Sequence, residues 1–152
     1  MSMTSINYTP YQRSDRHLCM ALFDRNCPQF FAHEERVEYE QFLDADPLNY
    51  WLVGQPEDPM ACYGLSIEGG EAGINWIMVD PFSHRRGLGR AMVERALLMF
   101  AEHNASQLNV ATSQHAVSFF ERFGLIEISR TLHGWGLGMH RIDMTMSLTQ
   151  RR

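Results

Sequence analysis

The chain has 152 residues, a net charge of −5 and 13 cationic side chains, all of them arginine. Without lysine, Schiff-base chemistry and a lysine general base are excluded, and so is the phosphate loop G-x-x-x-x-G-K-[ST]. The length suits one domain with a sizeable core, and a chain 45% hydrophobic and 20% charged reads as globular rather than disordered.

No unbroken apolar run exceeds six residues, as in Ala96–Ala101. A membrane helix needs roughly 20, so no membrane contact is expected. The N-terminal stretch lacks a basic region followed by an apolar one, and a cytoplasmic location is the expectation. Cys19, Cys27 and Cys62 are scattered, without a C-x-x-C, and the histidines do not cluster. Free buried thiols and no metal site are expected. Charge is uneven: residues 24–71 carry 11 acidic groups against two arginines, and residues 72–152 carry nine arginines against six acids. Such a division could serve a cationic ligand on one side and an anionic one on the other, although the acids taken alone equally suit a solvated helix. Without a basic tract, nucleic acid is not expected as a partner.

In chain order, Ser5–Pro10 reads as a strand. Asp15–Asp24 reads as a helix, with Leu18, Leu22 and Phe23 at helical spacing. Pro28 separates it from a second, acidic helix over 33–43, which Asp46-Pro47 ends. Tyr50–Val53 and Ala61–Glu68 read as strands around a turn at 55–59. Gly69-Gly70 signals a hairpin into a strand over Ala72–Val79. Leu88, Met92, Ala96 and Phe100 recur every four residues, the pattern of an amphipathic helix. A short strand follows at Leu108–Ala111 and a helix at Gln114–Phe123, with Gly124 as its left-handed stop. Ile126–Leu132 and Ile142–Leu148 read as closing strands joined by a glycine-rich turn over 133–138. The fold class is one mixed α/β domain.

The informative constellation spans residues 76–95. An apolar strand, Trp76-Ile77-Met78-Val79, runs through Asp80-Pro81 and a short loop into Arg85-Arg86-Gly87-Leu88-Gly89-Arg90, which opens the long helix. A helix N-terminus presents unpaired N–H groups and partial positive charge, so it accepts phosphate. Gly87 and Gly89 would leave that backbone open, and arginine forks suit phosphate oxygens. Arg85, Arg86, Arg90 and Arg95 fall within 11 residues here. G-x-G alone is also a common way to start a closely packed helix. A Rossmann fingerprint fits less well, because Met92 stands where its third glycine belongs and the chain does not open on a βαβ unit.

This order of strand, V-D-P, loop, R-R-G-L-G-R and helix resembles the acetyl-CoA-binding motif of the GNAT N-acetyltransferase superfamily. The stretch Ala116-Val117-Ser118-Phe119-Phe120-Glu121-Arg122-Phe123-Gly124-Leu125 resembles that family's second motif, A-x-x-F-Y-E-x-x-G-F. The resemblance implies a mixed sheet of six or seven strands flanked by about four helices, with the fourth and fifth strands splayed. It implies acetyl-CoA as cosubstrate, a small-molecule or peptide amine as acceptor, no metal, and direct attack of the amine; a homodimer stays open. Ile77, Met78 and Val79 would contact the pantetheine arm through backbone groups, near a β-bulge whose N–H polarises the thioester carbonyl. Arg85, Arg86, Gly87, Leu88, Gly89 and Arg90 would hold the pyrophosphate.

The chain departs from the family pattern at four places. His84 stands where a Gln or Arg is usual, and is either a phosphate contact or a loop residue. Phe120 stands where a Tyr often protonates the thiolate. The Asn that often precedes the second motif falls near Ser113 or Gln114. Asn109 occupies about the position of a catalytic Glu in some members. Catalytic groups are therefore left open between Glu68, Glu71 and Ser113, the first two also reading as a solvated turn and Ser113 as a helix cap. For the acceptor pocket, the first two helices and the last inter-strand loop offer Phe30, Phe31, His33, Glu34, Glu35 and Glu38, then His133, Trp135 and His140. Of these Phe30, Phe31, Glu34, Trp135 and His140 are the leading candidates, since aromatic and acidic groups suit a cationic amine. A non-catalytic acetyl-CoA-binding module and a transferase for another acyl-CoA are the alternatives.

Overall fold

The computed structural model describes residues 5–84 and 87–149. Among them the chain order is β1 (Tyr8–Pro10), α1 (Arg16–Asn26), α2 (Glu35–Asp44), β2 (Tyr50–Gln55), β3 (Asp58–Glu68), β4 (Glu71–Val79), α3 (Leu88–Glu102), β5 (Gln107–Thr112), α4 (Val117–Glu121), β6 (Ile126–Gly136) and β7 (Met139–Ser147). The strands form one mixed sheet in the order β1-β2-β3-β4-β5-β7-β6, antiparallel except where β4 meets β5. No described helix is long and apolar enough to cross a membrane.

Each face of the sheet carries its own core. Leu88, Met92, Val93, Ala96 and Phe100 of α3 pack on Ala61, Tyr63, Leu65, Ala72 and Ile74. Cys19, Leu22 and Phe23 of α1 and Tyr39 and Leu43 of α2 pack on Tyr50, Leu52, Cys62 and Met78 on the other face. Fully burying a side chain of this class stabilises the fold by about 1.5–3 kcal/mol.

On β3 the alternation is regular: Ala61, Tyr63 and Leu65 face α3, and Cys62 faces α1. On β4 it is not. Ile74 faces α3, yet Met78, an even number of residues later, faces α1. The register passes from Gly64↔Asn75 to Cys62↔Met78, so Trp76 and Ile77 stand together opposite Tyr63. This is a β-bulge, and it reverses which face each later residue serves. Trp76 takes a left-handed φ of 44° to make it.

β4 and β5 pair only over Glu71–Gly73 and Gln107–Asn109. Beyond that each keeps its outer partner, β4 with β3 as far as Val79 and β5 with β7 as far as Thr112. The inner edges, Ile74–Val79 and Val110–Thr112, therefore diverge without pairing.

Several expected boundaries move. The β2–β3 turn is shorter than 55–59, because Gln55 pairs with Asp58 across Pro56 and Glu57. β6 extends through Gly136, which pairs with Met139, so the expected glycine-rich turn reduces to Leu137-Gly138. Helix α4 begins at Val117 rather than Gln114. Ser113 O accepts from Ala116 N in a preceding turn, and the Gln114 side chain instead bonds Gly138 O and His140 N.

Candidate active site

The splay between β4 and β5 opens a cavity of about 860 Å³, in the upper part of the range usual for ligand sites. Its walls are the inner edge of β4 from Ile74 to Val79, the inner edge of β5 with Ser113, and the start of α3 from Gly87 to Arg90. Phe119 and Phe120 of α4, Arg122 just after it, and Asn26, Phe30, Phe31, Glu35 and Trp135 complete the lining.

At the α3 end, Gly87 precedes the first helical residue with φ 77°, a conformation that costs a residue with a Cβ roughly 1–2 kcal/mol. The first intrahelical bond is Ala91 N to Gly87 O. The N–H groups of Leu88, Gly89 and Arg90 thus have no acceptor within the helix and face an anion-accepting terminus. Gly89 has no side chain where the Phe119 ring lies, 3.0 Å from where a Cβ would stand. Arg90 lines the cavity and pairs with Glu94 at 2.9 Å. Arg85 and Arg86 lie outside the described residues. Arg95 is directed elsewhere: its guanidinium donates to Tyr63 Oη and lies over the Tyr8 and Trp51 rings, each 4.3 Å away. Five residues past Arg90 is well over a quarter-turn around a helix, which takes Arg95 to the sheet face.

At the bulge, Tyr50 Oη donates to Trp76 O at 2.8 Å and accepts from Tyr39 Oη at the same distance. Burial raises both phenols well above their ordinary value, so they stay neutral donors. The bond fixes the 76–77 peptide plane, and in a trans peptide the Ile77 N–H then points opposite to that carbonyl. Gly64 makes room for the bulge: a Cβ there would meet Asn75 and the Tyr50 ring. Trp76 is wedged among Tyr39, Phe42 and Phe31.

At the open end of the splay, side chains bond the last carbonyl of each strand. His84 Nε2 bonds Val79 O at 3.2 Å, and Trp135 Nε1 donates to Thr112 O at 2.9 Å. The Phe30 ring bridges the walls, 5.2 Å from the His84 ring and 5.9 Å from that of His115.

The structure thus brings Ile77, Met78, Val79, His84, Gly87, Leu88, Gly89, Arg90, Ser113 and Phe120 to one cavity with Phe30, Phe31 and Trp135. Ser113 Oγ accepts from His115 N, and Phe120 is 1% exposed. Four leading candidates do not line it, nor do His33, Glu38 and His133. Glu68 and Glu71 pair across the hairpin at the far end of β4, where Glu71 accepts from Asn109. Glu34 accepts from Leu137 N, and backbone donors hold its carboxyl below the ordinary value. His140 Nδ1 accepts from His133 N. Both fasten the β6–β7 turn rather than face the cavity.

Asn75 and Arg122 line the cavity without having been singled out in the sequence, and Glu35, offered there only as one acid of the acceptor wall, lines it too. Asn75 presents a buried Oδ1 with no hydrogen-bond partner among the described residues. Arg122 lies exposed at the end of α4. Glu35 is 4% exposed, with Oε2 accepting from Ala32 N at 2.8 Å, and burial pushes its carboxyl up to about 7. The available signal was spacing: Glu35, Tyr39 and Leu43 recur every four residues and are the buried positions of α2.

Comparison with known proteins agrees with this architecture. The ribosomal-protein-S18-alanine N-acetyltransferase from Escherichia coli superposes with a TM-score of 0.76 at 16% identity, covering 95% of this chain and 94% of that one. A GNAT-family acetyltransferase from Staphylococcus aureus gives 0.74 at 16%, covering 95% and 99%. An aminoglycoside 6'-N-acetyltransferase complexed with coenzyme A gives 0.71 at 11%, covering 96% and 99%. At such identities these are likenesses of fold. A comparison with curated proteins returns no match. The profile of the acetyltransferase (GNAT) family matches residues 18–125, most of the chain, and the protein belongs to that family.

Proposed function

We propose that the protein is an acetyl-CoA-dependent N-acetyltransferase that moves an acetyl group to a primary amine of a small molecule or peptide. The observation that carries this reading is the unpaired stretch of β4 and β5, with its bulge, running to the N-terminus of α3 within one cavity. Diverging strand edges leave backbone donors and acceptors that an extended amide-bearing arm can satisfy. The α3 N-terminus, with Arg90 and Arg122 beside it, suits phosphates. An arm lying in the splay reaches the bulge, where Tyr50 holds the 76–77 peptide so that the Ile77 N–H can serve as the oxyanion donor. The opposite end, walled by Phe31, Trp76, Trp135 and Glu35, suits a cationic amine. Two substrates meeting end to end in one cavity gain rate from proximity.

Phe120 offers no hydroxyl, which favours the alternative of an acetyl-CoA-binding module. Thiol release from acetyl-CoA over a panel of alkylamines and peptide amines separates the two. Release dependent on both substrates supports transfer. Binding of acetyl-CoA with no release across the panel supports the module, and a preference for longer acyl-CoAs redefines the donor.

A further inference from the structure

Glu35 is the one carboxylate among the described residues that line the cavity, and it is buried at the start of α2. Asn75 lies on the same side of the sheet: it pairs with Gly64, whose absent side chain would meet Tyr50 of the α1–α2 core. Its Oδ1 is a buried acceptor lacking a donor. Phe31 and Trp76, stacked at 6.1 Å, and Trp135 line the same cavity. A carboxylate, an orphan acceptor and aromatic rings around one void match an ammonium group.

Resting on the transferase reading above, we infer that Glu35 is the catalytic base that takes the proton from the acceptor ammonium, with Asn75 accepting a hydrogen bond from the same nitrogen. Glu35 removes one proton, converting R–NH3+ to R–NH2. The nitrogen lone pair then forms the C–N bond at the thioester carbon. The C–S bond breaks with its electrons on sulfur. The second surplus proton on nitrogen passes to that sulfur, giving amide and free thiol, and Glu35 returns its proton to water. Because the sulfur's proton comes from the amine, Phe120 need not donate one.

The carboxyl's upward shift to about 7 places it where a base works best near neutrality. Glu34 and Glu38 on its own helix add to the shift, and Cys27 at the end of α1 lies beside it. Asn75 and Trp76 of β4 and Trp135 of β6 carry no charge. His84 and His115, on either side of the Phe30 ring, and Arg90 and Arg122 also line the cavity.

The test compares wild type with Glu35→Gln, whose amide oxygen still accepts from Ala32 N. The probes are acetyl-CoA with an alkylamine, and acetyl-CoA with hydroxylamine, which is neutral at assay pH and needs no base. With the alkylamine, kcat should fall at least ~100-fold and the acidic limb of the pH profile should vanish. Hydroxylamine turnover and acetyl-CoA affinity should stay within a few-fold. Glu35→Asp should recover part of the alkylamine rate. Equal losses with both nucleophiles, or an unchanged acidic limb, would overturn the assignment while leaving the transferase reading intact. Wild type that releases no thiol with any amine overturns both.

Discussion

Replacing Glu35 by Gln should change how stability depends on pH, and the size of the change follows from burial. The folded carboxyl titrates at about 7 against an ordinary value of 4.5, chiefly because burial disfavours the anion. Below 4.5 both folded and unfolded chains hold the proton. Between the two values only the folded chain holds it, so the unfolded state binds fewer protons and stability falls as pH rises. At about 1.4 kcal/mol per pH unit the accumulated loss is about 3 kcal/mol, and it levels off above 7. Gln carries no such charge. The variant should therefore gain on wild type by about 2.5 kcal/mol between pH ~5 and pH ~8, or roughly 5–10 °C in Tm for a chain of this size. Melting curves by circular dichroism across that range measure it. Taking the difference cancels the groups common to both proteins, such as Glu127 and Asp143, whose carboxyls are held below their ordinary values by Arg130 and Arg141. Parallel Tm curves for the two proteins would refute the burial argument.

Other substitutions probe the remaining parts of the cavity. Gly87→Asp places a carboxylate at the α3 N-terminus in open space, so the protein should fold with a loss of roughly 1–2 kcal/mol but lose acetyl-CoA affinity; titration calorimetry showing unchanged affinity would mean that the phosphates bind elsewhere. Tyr50→Phe leaves Trp76 O without its donor. It should cost about 1–3 kcal/mol of stability and lower kcat without raising KM for acetyl-CoA, and an unchanged kcat would remove Tyr50 from the positioning of the bulge. Arg95→Met should lower stability by about 1–2 kcal/mol through its lost aromatic contacts. Weaker acetyl-CoA binding by that variant would return Arg95 to the coenzyme.

The α3 end of the cavity was legible because its signals are local. A four-residue apolar repeat, two glycines and a preceding apolar strand occupy one contiguous stretch, and the structure places Gly87–Arg90 at the cavity as a unit. Arg95 misled because nearness in sequence was read as nearness in space. Its neighbours Tyr8 and Trp51 come from strands far away in the chain. The span 133–138 looked like a turn because of its glycines, but β7 pairs with it as far as Gly136, and of its three glycines only Gly138 takes a left-handed φ, as His133 does at the other end. Glu35 was one acid among several on α2. Which of them turns inward depends on the face that Tyr39 and Leu43 bury, and that spacing was assigned to packing alone.

The central claim is that the splay between β4 and β5, ending at the N-terminus of α3, holds acetyl-CoA. The direct measurement is the shift in melting temperature on adding it. At 100 times Kd the folded state gains about 2.7 kcal/mol, which should raise Tm by roughly 5–10 °C in wild type and not in Gly87→Asp. No shift in wild type at millimolar acetyl-CoA would contradict the claim.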